Sequence, residues 1–149
     1  MNIQGSAAVG LLAVRILVGM AFIFHGYPKI ANPTGWMGTM AFLPPWGQAI
    51  VAVVEFFGGI ALIAGIVTRL AALLLVCDML GALVLVEIPS GTPFVGPGHT
   101  LEVALSYLAI NLLLLLAGPG ALSADAAISA GRRARRQAPA ATTSSSVAA

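Results

Sequence analysis

Four long apolar stretches divide the chain: Val9–Tyr27, Gln48–Val67, Leu70–Ile88 and Thr100–Ala117. Each is 18–20 residues. At about 1.5 Å rise per residue, that length crosses a hydrocarbon core of roughly 30 Å. Polar, Gly and Pro residues collect between them, and no remaining segment could form a soluble core. The pattern predicts an all-α chain, an integral membrane four-helix bundle.

The connecting segments carry their own signals. Pro28–Gly47 holds Trp36, Trp46 and Pro44–Pro45, and its apolar stretch Trp36–Leu43 is too short to span. It predicts a short interfacial helix with the tryptophans at headgroup level. Pro89–His99 is rich in Gly and Pro and is expected to be irregular. Gly118-Pro119-Gly120 ends the fourth stretch, and a short amphipathic piece around Leu122–Ile128 follows. The transmembrane domain is therefore placed at 1–130. Residues 131–149 form a tail, first basic and then, from Gln137, rich in Ala, Pro, Ser and Thr and expected to be disordered.

Composition agrees with this class: the chain is 59% hydrophobic and 8% charged, with a mean hydropathy of +1.00. The net charge of +2 comes mainly from Arg132, Arg133, Arg135 and Arg136, so it describes a tail and no nucleic-acid surface. The first apolar stretch lacks the basic start and cleavage site of a signal peptide and reads as a retained helix. Basic residues set the expected orientation. Arg69 and the tail arginines place both termini on the cytoplasmic side, with only Lys29 in the outward loops. The single Cys77 excludes an internal disulfide.

Against this background, an ionisable residue in or at the edge of each stretch stands out: Arg15, Glu55, Asp78 and Glu102. A charge at bilayer depth costs at least about 2.5–3.5 kcal/mol on insertion scales, so it should face a partner or a polar cavity. Arg15, Gly19, Phe22, Gly26 and Lys29 fall on one helical stripe, and Glu55 shares a face with Gly58 and Gly59. Small residues allow close helix approach, so these faces are expected to point inward. Depth along the spans brings Arg15 and Asp78 to one level, as a pair that fixes helix register or serves function. Glu55, His25, Lys29 and Glu102 gather towards the outer side as a candidate binding cluster. The plainer alternatives are a Glu55 bonded to Lys29 or His25, and an Arg15 that snorkels to the interface. His25 and His99 could carry protons or ligate a metal, although boundary histidines more often meet water. No metal site is read from the sequence. Asn111 marks a second packing surface or an oligomer contact. The sequence contains no nucleotide fingerprint, P-loop or Cys cluster.

In order and spacing, several pieces resemble the DoxX family of four-helix bacterial membrane proteins. They are Arg15-Ile16-Leu17-Val18-Gly19, Phe24-His25-Gly26-Tyr27-Pro28-Lys29, Val54-Glu55-Phe56-Phe57-Gly58-Gly59, Gly65-Ile66-Val67-Thr68-Arg69-Leu70, Cys77-Asp78-Met79-Leu80, Gly98-His99-Thr100-Leu101-Glu102 and Gly118-Pro119-Gly120. The resemblance runs from about Leu11 to Asp125. It implies association with membrane oxidoreductase systems, including thiosulfate:quinone oxidoreduction, quinone or catechol stress, and a complex linked to superoxide and thiol defence. The family's charged positions match Arg15, His25, Lys29, Glu55, Arg69, Asp78 and Glu102. The Arg-rich tail lies outside the resemblance and is expected to be individual to this chain.

Residues and resemblance together lead to an expected function: a small subunit of a membrane oxidoreductase system, not catalytic alone. It would bind a quinone-like molecule in an outward polar pocket at Glu55, His25, Lys29 and Glu102. No covalently bound cofactor is expected; the partners would be membrane lipid, a redox protein and a second copy in a homo-oligomer. The rivals are a non-catalytic membrane scaffold or assembly factor, and a small oligomeric transporter.

Overall fold

A computed structural model describes residues 3–98 and 100–137. Its order is α1 (Ile3–Ala31), a 3-10 turn (Gly38–Met40), α2 (Pro45–Ala64), α3 (Thr68–Ala82) running into a π-helical turn (Leu83–Glu87), α4 (Leu101–Ala117) and α5 (Ala124–Gln137). Gly5–Ala31, Pro45–Ala64 and Thr68–Glu87 are long and apolar enough to cross a membrane, and Leu101–Ala117 is a shorter apolar helix. The fold is the expected helical membrane bundle.

Glycine spacing decides how α1 and α2 pack. A Cβ on Gly19 would stand 2.6 Å from the Gly59 carbonyl oxygen, and one on Gly26 would stand 2.6 Å from the Phe56 nitrogen. The absence of side chains at these points lets the two backbones touch. Phe22, between the two glycines on the α1 stripe, is fully buried. The core continues through Val18, Leu62, Ala71, Ala72, Leu75, Met79 and Leu114. Large apolar side chains such as Leu17, Phe24, Phe57 and Leu116 point outward, as lipid-facing residues do.

A tight turn joins α2 to α3. Gly65 at φ +67° caps α2, and its N–H bonds the Leu62 carbonyl. Val67 follows at φ +45°, a left-handed conformation unfavourable for a β-branched residue. Asp125 holds this turn from outside: its carboxylate accepts hydrogen bonds from the backbone N–H groups of Val67 and Thr68, each at 2.9 Å. Its own N–H donates to the Gly65 carbonyl at 2.9 Å. The start of α5 thus caps the start of α3.

The short helix expected in the first loop is the single 3-10 turn. Gln48, buried at the start of α2, ties that loop down. Its side-chain oxygen accepts from the Met37 N–H at 3.1 Å and its amide donates to the Leu43 carbonyl at 3.0 Å, while Trp36 Nε1 donates to the Gln48 carbonyl at 3.0 Å. Beyond α4, α5 carries Arg132 to Arg136 as helix through Gln137, past the boundary expected at 130. The Ala/Pro/Ser/Thr stretch that follows, and His99, lie outside the described residues.

Candidate functional site

A cavity of about 530 Å³ opens between α2 and α3, under the α1–α2 loop. That volume lies in the range of small-molecule sites, about 300–1,000 Å³. Apolar side chains form most of its wall, among them Ile50, Val54, Leu74 and Leu85, with Trp36 and Phe42 from the loop. Ile50, Leu74 and Leu85 are also exposed on the outer surface of the bundle, so the cavity mouth is continuous with the lipid-facing side. The π-helical turn brings Leu85, Val86 and Glu87 into the wall. Such turns widen a helix locally and recur at functional sites.

Glu87 and three further charged side chains line this cavity, and those three interact with one another. Lys29 Nζ lies 2.5 Å from Glu55 Oε1, and the Glu55 side chain is only 5% exposed. The same ammonium stands 4.6 Å from the centre of the Trp36 ring, a cation–π contact. Asp78 lines the same space from α3 and interacts electrostatically with both Glu55 and Lys29. One ammonium therefore faces two carboxyl groups. Glu55 Oε2 and Asp78 Oδ2 are buried and accept from no N–H or hydroxyl donor among the described residues, while the two carboxyl groups stand within hydrogen-bonding reach of each other. Buried polar atoms are normally satisfied, and such a carboxyl pair is satisfied either by one proton shared between the two groups or by a ligand or water bonded to them.

Two of the four expected cluster residues are elsewhere. His25 is exposed, and its ring packs edge-on to Tyr107 of α4 at 6.1 Å between centroids. Glu102 is exposed at the start of α4, and neither residue lines the cavity. Both lie towards the correct end of the bundle, but on the α1–α4 side and not at the α2–α3 cleft.

The expected Arg15–Asp78 pair is also not formed. Arg15 is 1% exposed and, among the described residues, donates to backbone carbonyls: Nε to Leu62 at 2.9 Å, Nη2 to Ile63 at 3.3 Å, and Nη1 to Pro119 and to Leu122, the latter at 3.0 Å. Leu62 and Ile63 lie in the last turn of α2, where the regular i to i+4 hydrogen bonds run out and the helix dipole is negative. Arg15 closes the basic end of the bundle while Asp78 faces the cavity. Asn111, thought to mark a second surface, is fully buried and donates to the Tyr107 carbonyl one turn earlier at 2.8 Å.

Sequence reasoning missed Trp36 as part of the site, Gln48 as the residue that ties down the loop above it, and Asp78 as a partner of Glu55. One signal was present: Glu55 and Asp78 are nearly equidistant from the Gly65–Val67 turn, so a tight helical hairpin brings them to one level.

The DoxX family model matches residues 10–88, which span α1, α2, α3 and the cavity trio. The chain belongs to the DoxX family. Among relatives, it is 28% identical to the Bacillus subtilis protein named "Putative oxidoreductase CatD", over 86% of this chain and 93% of that one. It is 34% identical to the Escherichia coli "Inner membrane protein YqjF", over 78% of this chain and 90% of the relative. A membrane protein of Mycobacterium tuberculosis is 32% identical over 80% and 81% of the two chains. No solved structure matches. Within this DoxX chain, α4 and α5 fall outside the matched segment.

Proposed function

We propose that this DoxX protein is a small membrane subunit of an oxidoreductase system that binds a quinone-like ring in the α2–α3 cavity. The observation that carries the proposal is the buried carboxyl pair, Glu55 and Asp78, beside the Lys29 ammonium in a mostly apolar cavity. The Lys29 ammonium can donate to a ring carbonyl. Each carboxylate oxygen can accept from a ring hydroxyl. Trp36 and Phe42 offer flat apolar faces to the ring, and the mouth at Ile50, Leu74 and Leu85 would admit an isoprenoid-type tail from the bilayer. The name of the Bacillus subtilis relative gives independent support to an oxidoreductase role.

A quinone, when bound, supplies two-electron, two-proton chemistry. This chain's part is to hold the ring and to pass protons at Glu55 and Asp78. The electrons would come from a partner redox protein of the same system. The bias of basic residues in loops, here Arg69 and the α5 arginines, supports an orientation with the Arg15 end cytoplasmic and the cavity towards the outer side.

Protein purified in mild detergent should carry substoichiometric quinone by solvent extraction and mass spectrometry, and Glu55→Gln should lower the yield at least about fivefold. Equal amounts in both proteins, or none in the wild type together with no thermal protection by added quinone, would refute the site.

A further inference from the structure

A second, separate feature lies at the opposite end of the bundle. A groove of about 370 Å³ is lined by Val67, Arg69, Leu70, Pro119, Asp125, Ala126 and Ser129. Val67 and Leu70 are exposed and give it an apolar wall. Arg69 is exposed, and the contact of its guanidinium with the chain is one long hydrogen bond to the Leu116 carbonyl, 3.4 Å. The carboxylate of Asp125 is occupied by the Val67 and Thr68 N–H groups and faces the Arg15 charge. The groove therefore presents a cation with little left to balance it.

The groove continues onto α5. Asp125, Ser129, Arg132 and Arg136 stand at i, i+4, i+7 and i+11, a single helical stripe. Because Asp125 is pinned at the rim and Ser129 lines the groove, Arg132 and Arg136 extend its basic side along the same face. Arg133 and Arg135 lie well off that stripe. All four arginines are exposed. We propose that this groove, with Arg69, Arg132 and Arg136 around it, binds the phosphate headgroup of an anionic phospholipid, with the acyl chain against Val67 and Leu70.

Charge and position select this occupant. Clustered arginines immediately beyond a membrane span attract anionic headgroups. Arginine's planar fork matches phosphate oxygens. An apolar wall beside the cations suits a molecule with both a phosphate and a hydrocarbon chain, which a nucleic acid lacks.

Native mass spectrometry of the full chain, with phosphatidylglycerol or phosphatidylcholine added to the detergent, tests this. Wild type should retain phosphatidylglycerol at least about tenfold more strongly than phosphatidylcholine. Arg132→Gln/Arg136→Gln should cut that retention about tenfold, whereas Arg133→Gln/Arg135→Gln, which removes the same charge, should change it less than about threefold. Arg132→Lys/Arg136→Lys should keep the preference over phosphatidylcholine. Circular dichroism should be unchanged in all three variants, which substitute exposed side chains on α5. Equal retention of the two lipids, equal loss in the two glutamine variants, or displacement by RNA but not by excess phosphatidylglycerol would each overturn the proposal.

Discussion

Gly19 and Gly59 face each other so closely that a Cβ on either would stand 2.6 Å from the other's carbonyl oxygen. This contact sets the α1–α2 spacing and, one turn or more along, the reach of Lys29 to Glu55. Backbone cannot move aside as a flexible side chain can, so overpacking here should cost about 1–3 kcal/mol. Gly59→Ala should therefore lower thermal stability in detergent clearly. Gly10→Ala, where an added Cβ meets nothing within 4 Å, should not lower it.

The Lys29–Glu55 pair couples α1 to α2 beside the cavity. Removing one partner leaves the other charge largely buried, which costs about 3–5 kcal/mol in buried pairs. Because Lys29 retains 21% exposure, the lower end of that range, about 3 kcal/mol, is expected for Lys29→Met. In Lys29→Met/Glu55→Gln only Asp78 is left without the cation, and part of the loss should return. A thermodynamic cycle by reversible unfolding in mixed micelles measures both.

Arg15 is held by carbonyls of α2 and of the α4–α5 link, an arrangement that needs a planar fork with several donors. Arg15→Lys keeps the charge but cannot reach all four acceptors. It should cost at least about 2 kcal/mol, since hydrogen bonds to charged groups contribute about 1.5–3 kcal/mol each. Proteolysis between α4 and α5 should quicken in parallel, and equal cleavage rates would contradict the clamp.

Asp125 connects α5 to the α2–α3 turn, outside the spans. Burial opposes its charge. The Thr68 and Val67 N–H groups and the nearby Arg15 outweigh that opposition and hold its carboxyl below the ordinary value. A folded carboxyl that protonates at lower pH than the unfolded one contributes stability above the unfolded value, about 3.9. That contribution is lost as pH falls through the folded value. The stability difference between wild type and Asp125→Asn should accordingly be constant from pH 7 to about 5 and shrink below about 4. Asp125→Ala, which removes the cap entirely, should cost about 1 kcal/mol at pH 7.

Much of the bundle was legible because membrane helices advertise length and phase. The stripe from Arg15 through Gly19, Phe22 and Gly26 to Lys29 does face inward, and the plainer Glu55–Lys29 bond is the one formed. The Arg15–Asp78 pairing failed for a physical reason. Equal depth does not fix which way a side chain turns, and the acceptors Arg15 finds are carbonyls at a helix end, which no residue type announces. His25 and Glu102 were misplaced in the same way, at the right height but on the wrong side of the bundle. Asp125 read as one residue of an amphipathic piece because its partners are backbone N–H groups far away in sequence. The α2–α3 turn was the overlooked clue, since its tightness alone brings Glu55 level with Asp78.

The cavity as a quinone-binding site is the central claim, and Trp36 in its wall gives a direct probe. Trp46, the other tryptophan and an exposed one, is removed by Trp46→Phe. Titration of a short-chain benzoquinone into that protein should quench Trp36 fluorescence along a saturable curve. Gly81 lines the cavity with open space where a Cβ would go, so Gly81→Leu should fill the site and abolish saturation while the fold is retained. Quenching that rises linearly without saturation, and equally in Gly81→Leu, would contradict the account.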